Sequence, residues 1–276
     1  MLRTLLVSLD GSSASQSALE LGMRWAKQFD AMLVGIGIVN QPALTRPEPT
    51  PLGASGYKRM RDEARIEEGR RQMDQLLGHF TLQCAQAGIA AKILEDFGQP
   101  AEQILLESQR YDLILIGRET RWNWKASIDA EQTQLRLIQH SPRPVVIVPQ
   151  HIPLHANILI AYDGSLPAAR AIAAFQASHL GESHLIHILS VSEDVAVAAR
   201  SAERASDYLT HHGLTSTSHR VVSSHPATAI LEFAAKIQAG LLVMGAYGKP
   251  LLHDFFLGST TRDLIAKSTA PIFLCH

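Results

Sequence analysis

Gly245, Gly248 and Gly258 follow the spacing Gly-x2-Gly-x9-Gly, and the third glycine leads directly into Ser259, Thr260 and Thr261. The first glycine ends the apolar run Leu241-Leu242-Val243-Met244. Glycines placed just past a buried strand let the backbone come close to a ligand with no Cβ in the way. The hydroxyl residues open the next helical pattern, where free backbone N–H groups and the helix dipole favour an anion. In this order the residues are the parts of a phosphate cradle.

Other chemistry is thinly represented. Asp163-Gly164-Ser165 follows a strand-like run, and by itself it is accounted for as a capped strand-to-helix turn. Ser259 alone reads as a helix cap, Lys249 as a solvated lysine, and Tyr162 and Tyr247 as packing residues. It is their joint spacing that argues for a site. Eleven of the thirteen histidines fall beyond residue 150, among them His184, His187, His211, His212, His219, His225, His253 and His276. None has a recognised metal-ligand spacing, so most are read as surface or strand residues and no metal site is expected. His253 lies inside the glycine loop, where a group titrating near neutrality can sense phosphate or pH. There is no Gly-x-Ser-x-Gly elbow and no Gly-x4-Gly-Lys-Ser/Thr loop. Asp254 is the one obvious base for a water attacking a nucleotide, so turnover stays open while binding is favoured.

The elements that must position these residues occur twice. Residues 5–12, LLVSLDGS, return as residues 158–165, ILIAYDGS. Gly98-Gln99-Pro100-Ala101 returns as Ser224-His225-Pro226-Ala227, and the run ending at Gly117 returns as the run ending at Gly245. Pro144-Val145-Val146-Ile147 returns as Pro271-Ile272-Phe273-Leu274. The predicted units are residues 1–150 and 151–276. Each alternates short Val/Ile/Leu strands with amphipathic helical stretches, which predicts an α/β fold: two tandem open parallel sheets of about five strands, with helices on both faces. Ligands of such sheets bind beyond the carboxyl ends of the strands, at the topological switch point. The last strands, 145–148 and 272–275, are expected to pair with each other, because free edges are templates for association.

The halves are not equivalent. From Asp10 to Pro100 is 90 positions, and from Asp163 to Pro226 only 63. The surplus, 41–71, begins with prolines 42, 47, 49 and 51 and runs into a charged helix expected over 57–77. It reads as a solvated excursion, with a lid or partner contact as the sharper alternative. The first half keeps Asp10-Gly11-Ser12 but has Glu131-Gln132 where the second has Gly258-Ser259. A carboxylate there opposes phosphate by like charge. Arg118, Arg121 and Lys125, interleaved with Trp122 and Trp124, read either as a repacked loop or as a surface for another anion or a protein.

Composition bounds the function. Hydrophobic residues make up 46% and charged residues 18%, which suits a packed core. A formal net charge of −1 gives no global electrostatic case for nucleic acid or an acidic membrane. Cys84 and Cys275 form neither a disulfide framework nor a thiolate metal spacing. The first residues lack the pattern of a secretory signal, and no apolar run reaches the roughly 18 residues of a membrane span, so a cytoplasmic protein is expected.

The paired Asp-Gly-Ser turns, the Gly/Ser-x-Pro-Ala turns, Gly-x2-Gly-x9-Gly-Ser and the closing Pro-led strands resemble the universal stress protein family in its tandem form. The resemblance covers the chain except 41–71 and implies a Rossmann-like fold of the adenine nucleotide α-hydrolase type. It also implies a regulatory stress-response protein binding ATP or AMP, with or without Mg2+. By it, Asp163 contacts the adenine region, Ala161 and Tyr162 line the base pocket, and Val191 packs on the purine. Met244, Gly245, Tyr247 and Gly248 approach ribose and phosphates. Gly258, Ser259, Thr260 and Thr261 bind phosphates, and Lys249 meets the γ-phosphate as a point charge. The tandem chain would mimic the family's homodimer internally, with a further homodimer and an unnamed protein partner in keeping with it. A weak ATPase or phosphotransferase and a nucleotide-free scaffold are the rival readings.

Overall fold

The computed structural model describes residues 1–49, 55–120, 130–246 and 258–276. The first half runs β1 (Thr4–Leu9), α1 (Ser13–Phe29), β2 (Met32–Val39), α2 (Gln41–Leu44), α3 (Ser55–Ala87), β3 (Ala91–Phe97), α4 (Pro100–Ser108), β4 (Leu113–Gly117), α5 (Ala130–His140) and β5 (Val145–Val148). The second runs β6 (Asn157–Ala161), α6 (Leu166–Ser178), β7 (Ile186–Ser192), α7 (Val195–His211), β8 (Ser216–Val222), α8 (Pro226–Lys236), β9 (Ala239–Gly245), α9 (Ser259–Lys267) and β10 (Ile272–Cys275).

Each repeated Asp-Gly-Ser does the same local work. Ser12 Oγ accepts from the Ser15 amide at 3.1 Å to start α1, and Ser165 Oγ accepts from the Ala168 amide at 3.3 Å to start α6. These caps satisfy donors that have no partner within the helix. Alternation along β1 sends Leu5, Val7 and Leu9 to one face of the sheet and Leu6 to the other.

The strands join into one ten-stranded sheet of order β3-β2-β1-β4-β5-β10-β9-β6-β7-β8. Within each half every pairing is parallel. The halves meet at the antiparallel pair β5–β10, with Phe273 opposite Val146, as expected of the two last strands. Two apolar clusters cover the faces, and each runs through both halves. One holds Leu19 and Trp25 of α1, Met73 and Phe80 of α3, Phe175 of α6 and Leu209 of α7. The other holds Ile104 of α4, Leu137 of α5, Ile230 of α8 and Leu264 of α9. Phe175 meets Phe273 edge to face, with ring centroids 6.2 Å apart.

The surplus segment differs in detail from the expectation. The proline stretch opens with a helical turn, α2, where the Asn40 side chain accepts from the Ala43 amide and Pro42 sits in the first turn, a place that needs no N–H. The charged helix expected over 57–77 is longer, because Phe80 and Cys84 continue its buried stripe of Gly69, Met73 and Leu77. Its outer end, where Tyr57 and Met60 are exposed, is tied by Lys58 to Asp62 at 3.0 Å and by Arg61 to Glu48 at 2.7 Å. Residues 50–54, including Pro51, lie outside the described part of the chain.

Candidate functional site

In the second half the strand order reverses between β6, which continues to β7, and β9, which continues to β10. Their carboxyl ends form the switch-point crevice. Ala161 is paired with Met244 on one side and Leu189 on the other, so Tyr162, Asp163, Val191 and Gly245 lie along a single rim. Helix α9 returns from that rim to the start of β10, so its N-terminus faces the crevice and its C-terminus lies at the opposite end of the sheet.

The rim residues have distinct settings. Ala161, Tyr162 and Val191 are half-buried, and Asp163 is exposed. Asp163 Oδ1 accepts from the Ser165 amide at 2.9 Å. The Tyr162 backbone is already engaged with β7: its N–H donates to Leu189 O at 3.0 Å and its carbonyl accepts from Ser190 Oγ at 2.6 Å. Burial, and then the Asp163 carboxylate, hold the Tyr162 phenol above its ordinary value. The Met244 side chain is buried in the core, so its backbone is what the crevice meets.

The glycines have different reasons to be glycine. A Cβ on Gly245 would stand 2.3 Å from the Ala168 nitrogen, and one on Gly117 would stand 2.6 Å from the Ser15 nitrogen. Both therefore serve the close approach of a helix N-terminus to a strand end, which a ligand does not require. Gly258 is the opposite case, because among the described residues nothing lies within 4 Å of its would-be Cβ. It occupies the N-cap of α9 and supplies no side-chain cap. Ser259 is thus the first helical residue and not the cap. Helices α1, α6 and α7 each have a side-chain cap, and α4 and α8 begin with proline. Helix α9 differs from these five: its first-turn N–H groups are uncapped by a side chain, and it has no proline there to remove one. Ser259 is exposed, Thr260 half-buried and Thr261 buried. Tyr247, Gly248, Lys249, His253 and Asp254 lie outside the described residues.

The first-half counterpart is built differently. Asp10 is 2% exposed, and its Oδ1 accepts from the Ser12 amide at 2.9 Å and from Ser12 Oγ at 2.7 Å. The buried amide of Gln134, which matches Thr261, donates from Nε2 to the Gly117 carbonyl at 3.1 Å and to the Arg118 carbonyl. It fastens α5 to the end of β4. The Glu131 side chain lies outside the described part of the chain, as do Arg121, Trp122, Trp124 and Lys125. Arg118 reaches toward the other half of the molecule. Its Nη1 donates to Ser268 O at 2.7 Å and Ile265 O at 3.4 Å, at the C-terminus of α9 in the other half. Sequence reading missed both roles. The Gln134/Thr261 mismatch in the repeat was the available signal.

No group of three or more metal-ligating side chains occurs among the described residues. His225 is held by Ser224 Oγ at 2.9 Å from its Nδ1. His187 and His219, on neighbouring strands, face each other with Nδ1 and Nε2 3.1 Å apart. Among the described residues no helix is long and apolar enough to cross a membrane.

A doubled, mostly parallel α/β sheet with helices on both faces and a crevice at the switch point is a tandem Rossmann-like architecture. The sequence pattern of the universal stress protein family matches residues 1–149 and again 155–276, and the chain belongs to that family as a tandem member. A universal stress protein of Mycobacterium tuberculosis strain H37Rv is 23% identical, over 99% of this chain and 94% of its own. One from Synechocystis sp. is 24% identical over 59% of this chain, and that match spans 57% of its own length. The crystal structure of a universal stress protein from Archaeoglobus fulgidus DSM 4304 superposes with a TM-score of 0.76 at 24% identity, covering 99% of this chain and 95% of that one. It shares the fold.

Proposed function

We propose that residues 151–276 bind one adenine nucleotide, ATP or AMP, and that residues 1–150 form a degenerate unit that binds none in the same manner. The protein is then a cytoplasmic regulatory protein of the stress response, in which occupancy changes the surface offered to a partner or a second copy. The observation that carries this reading is Gly258: the residue is glycine, among the described residues no protein atom crowds its missing Cβ, and it starts a helix with no side-chain cap. An oxyanion satisfies those N–H groups and uses that space. Asp163, exposed on the same rim, is free to meet the polar edge of a base or ribose, with Val191 and Tyr162 beside it as apolar walls. Where ATP is the ligand, Mg2+ accompanies it through its own phosphates.

The test begins with the purified full chain. Any bound small molecule is released and identified, ATP and AMP are titrated by calorimetry, and ATP is followed over hours. Binding of one nucleotide without product supports the regulatory reading. Multiple turnovers would replace it with a hydrolase or phosphotransferase. No affinity for either nucleotide, with Gly258→Glu indistinguishable from the natural chain, would leave an interaction scaffold.

A further inference from the structure

Arg118 follows Gly117 at the end of β4, the place held in the second half by Ala246, which is fully buried. In a family-type site this residue lies beside the glycine loop. Here it serves the other half of the molecule. Its guanidinium reaches across the β5–β10 junction and donates to the carbonyls of Ile265 and Ser268, so it covers the last turn of α9. Terminal helix carbonyls lack intrahelical donors, and a cation there also complements the negative end of the dipole. Both bonds come from one nitrogen, Nη1, with the shorter to Ser268 O at 2.7 Å, so the contact pins the end of the helix at a single point.

The anchor is itself fixed. The Arg118 amide donates to Val148 O at 2.7 Å, and its carbonyl accepts from the Gln134 side chain. Three elements are therefore linked in series: α5 through Gln134, the end of β4 through Arg118, and α9 through Ser268. Helix α9 has nine residues, so roughly 13 Å of rigid rod separates the Arg118 contact from Gly258 at its other end. A small tilt at the C-terminus is carried to the N–H groups that face the crevice. The reverse contact does not form through the matching residue, because Ala246 has no side chain to reach α5.

We propose that Arg118 is a positioning residue for the anion-binding end of α9, so that the first half sets the nucleotide affinity of the second. The proposal rests on the nucleotide reading above. By reciprocity, nucleotide binding tightens the contact between the halves.

The experiment compares the natural chain with Arg118→Ala, Arg118→Lys and Ile36→Val, the last loosening the first-half core away from α9. ATP and AMP affinity are measured by calorimetry, hydrogen exchange in 259–267 by mass spectrometry, and thermal stability alongside. Arg118→Ala is expected to weaken binding by about fivefold or more, the lower end of couplings between linked sites, and to speed exchange in α9. Arg118→Lys, which keeps the charge but has a shorter side chain, falls between. Ile36→Val lowers the melting temperature and leaves affinity unchanged. Equal affinity in Arg118→Ala and the natural chain overturns the proposal while the nucleotide reading stands, and so does an equal loss in Ile36→Val. A natural chain that binds neither nucleotide overturns the nucleotide reading and the proposal with it. If Arg118→Ala does not fold, Arg118→Lys decides on the same two readouts.

Discussion

Gln134 Nε2 donates to the Gly117 carbonyl at 3.1 Å, tying the first turns of α5 to the end of β4. Its repeat partner Thr261 sits buried in the matching turn of α9 and is too short to play that part. With Asp10 buried in the first half and Asp163 exposed in the second, the difference predicts one nucleotide per chain. Calorimetry with ATP or AMP is expected to give a stoichiometry near one, and Gly258→Glu to remove it. Gln134→Leu is expected to cost about 1–2 kcal/mol in urea unfolding, the scale of buried bonds lost, without raising the stoichiometry. A second binding event in Gln134→Leu would mean that this amide alone closes the site.

Gly245 and Gly258 are predicted to respond in opposite ways to the same change. A methyl on Gly245 meets the backbone of Ala168 at 2.3 Å and cannot be relieved by turning a side chain. Gly245→Ala should therefore destabilise the fold by about 3 kcal/mol, the upper end of overpacking costs. Gly258→Ala meets nothing within 4 Å among the described residues, so it should lose no more than about 1 kcal/mol of stability, the cost of alanine at an N-cap. Its nucleotide affinity should fall instead. Thermal melts and titrations of the two variants check this. Loss of stability in Gly258→Ala with unchanged affinity would assign that glycine to the fold.

The doubled fold was legible because the repeat, the Val/Ile/Leu runs and the helix starts are local signals. Even the β5–β10 pairing followed, since two matching edge strands in one chain have an obvious partner in each other. The candidate site was legible as a motif, but the reason for each residue was not. Gly245 reads as room for a ligand until α6 is seen beside it, because a sequence does not say which backbone comes near. Arg118 reads as a loop cation until its partner appears, about 150 positions away at the end of a helix in the other half. The extension of α3 to Ala87 was hidden because its charged first turns mask the stripe that Met73, Leu77, Phe80 and Cys84 complete.

The junction between the halves should behave as core. Phe273 is fully buried on β10, pairs with Val146 across the junction and packs edge to face on Phe175. Phe273→Ala is expected to cost about 3–5 kcal/mol through lost burial and the cavity left behind. Because each apolar cluster runs through both halves, the natural chain should melt in one transition. Two well-separated transitions in differential scanning calorimetry of the natural chain would contradict that.

His187 and His219 bring a pH dependence that the nucleotide site does not supply. Their facing nitrogens, 3.1 Å apart, share one N–H while both rings are neutral, and the His219 ring lies 4.6 Å from that of Phe233. Burial first, then the neighbouring His187, then Lys236 of α8, hold His219 below its ordinary value of 6.5. A histidine whose folded value is lowered binds fewer protons folded than unfolded. Its contribution is then fully present above about pH 6.5, the unfolded value, and is lost as pH falls from there through the folded value. Thermal melts between pH 7.5 and 5 should show the natural chain losing stability more steeply than His219→Gln, which retains a hydrogen-bonding group but does not titrate. Parallel profiles for the two proteins would show that the pair is protonated without cost to the packing of β7, β8 and α8.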